Sequence, residues 1–136
     1  MIGVDTNVLL RWLIDAQMVD DDAPDQTRVV EDLILQSGEQ FFVNHIVIAE
    51  TIWVLRNKVG QKKNIIRDVV ERILHSANVV VLDSDAVSSA LNTFINYPGD
   101  FSDHLIGEVN RKNGCRTTMT FDKAASKSPN FSELQR

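Results

Sequence analysis

Short apolar runs alternate along this chain with stretches in which apolar residues recur every three or four positions, the signature of strands alternating with amphipathic helices. Residues 1–4 read as a short buried strand. Thr6 then offers a helix N-cap before Val8, Leu9, Trp12 and Leu13 repeat at helical spacing. A second helix begins near Pro24, carries Val29, Val30, Leu33 and Ile34 on one face and ends at Gly38. Phe41-Phe42-Val43 is the next strand, and Asn44 can cap a third helix running to about Val59. A fourth is amphipathic through Ile65, Ile66, Val69, Val70, Ile73 and Leu74. Residues 79–82 return to strand, and a helix from about Ser84 turns Val87, Leu91 and Phe94 inward until Tyr97-Pro98-Gly99 breaks it. The segment from Phe101 groups Leu105, Ile106 and Val109 and stops at Gly114, and residues 117–121 supply a last strand. Strands that alternate with helices predict an α/β fold, a central parallel sheet flanked by helices.

Composition narrows the class. At 136 residues, 43% hydrophobic and 24% charged, the chain suits a single globular domain over residues 1–136. Asp5 arrives too early for a secretory leader, and no apolar run approaches the roughly 18 residues of a membrane span. A cytoplasmic protein without membrane attachment is expected. The single cysteine, Cys115, excludes an internal disulfide and any Cys-rich zinc site, and is expected as an inert, partly buried thiol. A net charge of −5 argues against broad non-specific affinity for phosphates, which comes from Lys and Arg. Much of the acidity falls in the stretch containing Asp20-Asp21-Asp22, read as a solvated loop.

The placement of four acids is more specific. Asp5 closes Ile2-Gly3-Val4, Asp122 closes Thr118-Met119-Thr120-Phe121, Glu50 interrupts an apolar helix, and Asp103 follows the Tyr97-Pro98-Gly99 break. Desolvating a carboxylate costs several kcal/mol unless it is paired or metal-bound. In open parallel sheets ligands bind beyond the carboxyl ends of the strands, where Asp5 and Asp122 fall. Glu50, three or four residues from Ile46, Val47, Trp53 and Val54, is expected to face inward. Each acid also has a structural alternative: Asp5 and Asp122 as helix caps, Asp103 as a first-turn residue on the dipole, Glu50 paired with Arg56. Gathered in one cleft, carboxylates call for a hard divalent cation, Mg²⁺ or Mn²⁺, and such an ion suits phosphodiester hydrolysis. A P-loop, a Gly-x-Ser-x-Gly elbow and a His-Glu-x-x-His motif are missing from the sequence.

Gly3-Val4-Asp5-Thr6-Asn7-Val8-Leu9, Glu50-Thr51-Ile52-Trp53-Val54-Leu55, Asp100-Phe101-Ser102-Asp103 and Thr120-Phe121-Asp122 together resemble a PIN-domain ribonuclease, with the VapC-type toxins of type II toxin–antitoxin systems as the nearest subgroup. The resemblance implies a PIN-like three-layer α/β fold. It implies metal ligation and catalysis by Asp5, Glu50, Asp103 and Asp122, with Thr6, Asn7 and Thr120 in support. It further implies Mg²⁺- or Mn²⁺-dependent RNA cleavage leaving a 5′-phosphate, a homodimer, and an antitoxin partner whose C-terminal segment enters the toxin's groove with a basic side chain.

Arg11 and Arg56 are candidate phosphate contacts, with solvated surface roles as the alternative for them and for Arg111, Lys112 and Arg116. Trp12 and Trp53 could stack bases, but their helical spacing favours core packing. His104 is expected at a pocket rim. Two other readings differ in class. One is a receiver-like phosphoacceptor domain using Asp83, at the end of Val79-Val80-Val81-Leu82, and Lys123; it lacks an acid pair after the first strand and leaves Glu50 unexplained. The other is a PIN-like nuclease for structured DNA, for whose usual inserted arches this chain has little room. An inactive relative kept as a binding module is a further alternative, disfavoured by the complete acid set.

Overall fold

The computed structural model describes residues 1–13 and 24–135. The Asp20-Asp21-Asp22 stretch lies outside them. Along the chain run β1 (Ile2–Gly3), α1 (Thr6–Leu13), α2 (Pro24–Gln36), β2 (Phe41–Val43), α3 (His45–Asn57), α4 (Lys63–Leu74), β3 (Val79–Val81), α5 (Ser84–Asn96), α6 (Phe101–Lys112), β4 (Thr118–Thr120), a 3₁₀ turn at Ala125–Lys127 and β5 (Phe131–Glu133). The expected helices and strands are present as an α/β fold. β5 is the addition: Phe131-Ser132-Glu133 carries no apolar run and becomes a strand only by pairing.

β2 is the middle strand of a parallel sheet, with Ile2 opposite Phe41 on one side and Phe41, Phe42 and Val43 opposite Val79, Val80 and Val81 on the other. Central parallel strands are covered on both faces: Phe41 and Val43 on one face of β2 are buried, and Phe42 on the other is half-buried. β4 and β5 form a second parallel pair, Thr118 opposite Phe131 and Thr120 opposite Glu133. A larger apolar cluster joins Leu9, Leu13 and Val43 to Ile48, Ile52 and Leu55 of α3, Ile66, Val70 and Ile73 of α4, and Val87, Leu91, Phe94, Phe101 and Leu105 of α5 and α6. A smaller one joins Val30 and Ile34 of α2 to Phe41, with Val4, Val8 and Trp12 against it. Each fully buried aliphatic side chain contributes roughly 1.5–3 kcal/mol, so the α3 and α4 stripes fix where those helices lie.

Several apolar positions depart from expectation. Val29, Leu33 and Ile106 are exposed, because the buried stripes of α2 and α6 are narrower than their apolar runs. Trp53 is half exposed rather than core, since Ile48, Thr51, Ile52 and Leu55 set the inward face of α3. Cys115 is exposed. Asn44 caps α3 as its sequence suggests, accepting from the Ile46 N–H at 2.7 Å.

Two contacts anchor β5 on α6. Glu108 is buried and fully engaged: Thr93 Oγ1 and Asn130 Nδ2 donate to its Oε1 at 3.2 and 2.8 Å, while Arg111 Nε and Nη2 donate to Oε2 at 3.2 and 3.0 Å. A buried carboxylate so compensated ties α5, α6 and the turn before β5 together. At Gly107 a β-carbon would come within 2.7 Å of Phe131 Cε2 and 3.2 Å of Asn130 Cβ. Gly107→Ala is expected to destabilise by about 1–2 kcal/mol, overpacking outweighing a helix-propensity gain of up to about 1 kcal/mol. Urea denaturation measures this, and the same substitution in a Phe131→Ala background should become neutral or stabilising.

Candidate active site

Asp5 lies just beyond β1, after Val4, and caps α1. Its Oδ1 accepts from the Val8 N–H at 3.0 Å and its carbonyl accepts from the Leu9 N–H at 3.0 Å. The cap is therefore Asp5 and not Thr6, which with Asn7 occupies the first helical turn. Asp122, after β4, does the same: its Oδ1 accepts from the Ala125 N–H at 3.0 Å, its carbonyl from the Ser126 N–H, and its own N–H donates to Thr120 Oγ1 at 3.0 Å. Both acids are exposed. Their carboxylates thus sit at strand ends and at the positive ends of short helical turns.

Asp103 stands in the first turn of α6 and is the perturbed member. Burial raises its pKa above the ordinary value of 3.8, with Asp122 and then Asp100 adding like-charge repulsion. Asp100 and Asp122 are therefore both within electrostatic reach of Asp103, and Asp100 is a site neighbour that pattern reading passed over although it opens the Asp100-Phe101-Ser102-Asp103 run. Glu50 lies on α3, the helix packed against both α1 and α6, but it is exposed and does not face inward. Its helix presents Ile48, Thr51, Ile52 and Leu55 to the core instead.

What brings Asp103 toward Asp122 is a contact between two turns. Gly99 adopts φ +112°, and a β-carbon there would lie 3.3 Å from His104 Nε2 and 3.4 Å from the backbone of Ala125, the residue whose N–H Asp122 holds. His104 is completely buried beneath this contact, not at a rim. Its Nε2 is 3.0 Å from the Pro98 carbonyl; a carbonyl only accepts, so the proton is on Nε2. Burial, ahead of other influences, lowers the imidazole pKa and keeps the ring neutral. Lys63 Nζ donates to the carbonyls of Phe94 and Tyr97 at 2.7 and 3.1 Å and lies 4.5 Å from the Phe94 ring centroid, fixing the end of α5 before the same turn. Burial, then Arg56, lowers its pKa. A lysine opening its own helix carries no sequence signal of this role.

The basic candidates separate. Arg11 lines, with Asn7, Val8, Gln26, Val29 and Val30, a cavity of about 380 Å³ between α1 and α2. Arg56 is exposed at the far end of α3 and donates from Nη1 to the Gln61 carbonyl at 3.1 Å. Arg111 is engaged by Glu108. Lys112 pairs with Asp83, which holds that carboxyl below its usual range and leaves Asp83 in a left-handed conformation, φ 56°, ahead of α5. Among the described residues, no acids gather around Asp83 as phosphoacceptor chemistry requires.

The donor set at the strand ends is all carboxylate oxygen, which suits a hard divalent cation, and the repulsion felt by Asp103 is what such a cation would relieve. Among the described residues, no three His, Cys, Asp or Glu side chains stand together as a formed metal cluster. No helix among them is long and apolar enough to cross a membrane.

A three-layer α/β fold with acids beyond the carboxyl ends of parallel strands defines the class. The family model for the PIN domain matches residues 2–129, and the chain belongs to the PIN domain family. No match is found among curated proteins or among solved structures. PIN domains are generally nucleases, and PIN nucleases typically use divalent metals. Family membership sets the receiver-like reading aside.

A carboxyl whose folded pKa lies above its unfolded one contributes stability that is full below the unfolded value and is lost as pH rises through the folded value. Asp103 is that case, with the unfolded value near 3.8. Asp103→Asn is thus expected to melt higher than the parent at pH 7 in EDTA, with the difference vanishing as pH falls below about 4. Thermal denaturation across that range checks it.

Proposed function

We propose that this protein is a metal-dependent endoribonuclease acting as the toxin of a toxin–antitoxin pair. The observation that carries the hydrolytic reading is the crowding of Asp103 by Asp122 and Asp100 at the strand ends, an arrangement that costs stability unless a cation uses it. Asp5, Glu50, Asp103 and Asp122 would hold Mg²⁺ or Mn²⁺, with Thr120 fixing the Asp122 turn and Thr6 and Asn7 flanking Asp5. The ion supplies Lewis acidity toward phosphate oxygens and a water nucleophile near neutral pH. The chain's own part is to orient. The Asp5 and Asp122 caps fix one carboxylate oxygen each, and the Gly99–Ala125 contact sets Asp103 against Asp122. Arg11 and Arg56 are the candidates for substrate phosphates.

The toxin assignment is supported by the order of the acid motifs along the chain. The net charge of −5 suits an antitoxin segment that brings a basic side chain to the acids. A homodimer working in the cytoplasm completes the reading.

Purified protein is expected to cut a mixed RNA pool in Mg²⁺ or Mn²⁺ and not in EDTA. Asp5→Asn, Glu50→Gln and Asp103→Asn should each abolish cutting while remaining folded. Asp5→Asn retains an N-cap, whereas Asp5→Ala should also lose about 1 kcal/mol of stability, so the pair separates capping from chemistry. Equal cutting by parent and variants would defeat the assignment, and preferential cutting of branched DNA would move it to a DNA nuclease.

A further inference from the structure

Trp53 sits in an aliphatic run and still presents its indole to solvent, 50% exposed. It lies three residues beyond Glu50, a spacing that puts both on one side of α3. The ring borders Ala49, Arg56, Asp100 and Ser102 in a cleft of only about 20 Å³, room for about one water and for no side chain. Ser102 and Asp100 flank the turn that delivers Asp103. The Lys58 ammonium lies 5.8 Å from the indole centroid. A half-exposed indole with the Lys58 ammonium over its ring and no pocket beneath suits a ligand that stacks, the ammonium moving aside to its phosphate, rather than one that inserts. Stacking on a neutral base face is also indifferent to the acids nearby, while the adjoining phosphate would meet Lys58.

We infer that Trp53 is the stacking platform for an unpaired nucleobase of the substrate, with Lys58 taking the neighbouring phosphate. The inference builds on the nuclease reading for its place beside the acids, and it narrows the substrate class: a base within a duplex has both faces covered and cannot reach the ring, so the cut lies beside unpaired nucleotides.

The test is made in EDTA, where nothing is cut. In a Trp12→Phe variant, whose remaining indole is Trp53, fluorescence is titrated with a short single-stranded oligoribonucleotide of mixed sequence and with its duplex. Saturable quenching by the single strand and not by the duplex is expected. With a fluorescein-labelled strand, anisotropy should show Trp53→Ala binding weaker by about tenfold or more and Trp53→Phe within about threefold, since any aromatic face stacks. Unquenched fluorescence, or equal affinity of Trp53→Ala and parent, overturns the proposal. So does shielding of Trp53 from acrylamide in the free protein, which would mean that a second copy covers the ring. Cutting in Mn²⁺ is scored separately: stacking without cutting removes the nuclease reading and leaves the platform, and cutting without stacking does the reverse.

Discussion

The close approach of two turns is the constraint on which the rest of this site depends. The turn between α5 and α6 can lie against Ala125 only because Gly99 has no β-carbon and accepts φ +112°. From below, the buried His104 imidazole grips the Pro98 carbonyl, and from the side Lys63 grips the carbonyls ending α5. With that turn fixed, α6 can start nowhere else. Asp103 is delivered to the carboxyl end of β4, where Asp122 already waits. The repulsion that results is built into the packing rather than into any one acid.

The acids accordingly divide their work. Asp5 and Asp122 each use one oxygen to satisfy a backbone N–H at the start of a helical turn, which anchors the carboxylate without neutralising it. Capping and ligation are compatible because a carboxylate has two oxygens and about four lone-pair sites. Asp103 also takes a backbone hydrogen bond, at Asp100, but burial and its acidic neighbours outweigh it, and its pKa stands raised. Glu108 is the contrast: a carboxylate more deeply buried, it is met by three partners and belongs to the scaffold.

An acidic protein that is to meet nucleic acid must ration its cations. Here several are spent internally: Arg111 on Glu108, Lys112 on Asp83, Lys63 on helix-end carbonyls. The few basic groups near the acids then matter more than their number suggests, and aromatic contact becomes a means of holding nucleotides that adds no charge.

The sequence alone determined the order of strands and helices, because burial imposes periods of two and of about 3.6 that survive without knowledge of the neighbours. It also determined that acids close the apolar runs at Asp5 and Asp122, since strand ends are local features. It could not place Glu50 and Trp53 on the outer side of α3, because an almost wholly apolar helix has no periodic contrast to say which face wins; packing against α1, α4 and α6 decided that. Nor could it find β5, whose Phe131-Ser132-Glu133 is a strand only through β4. His104 and Lys63 were equally illegible, for their partners are main-chain carbonyls that tertiary folding alone brings within reach. The juxtaposition of Asp103 with Asp122 belongs to the same category: a distance between two turns, set by a missing β-carbon and a buried ring.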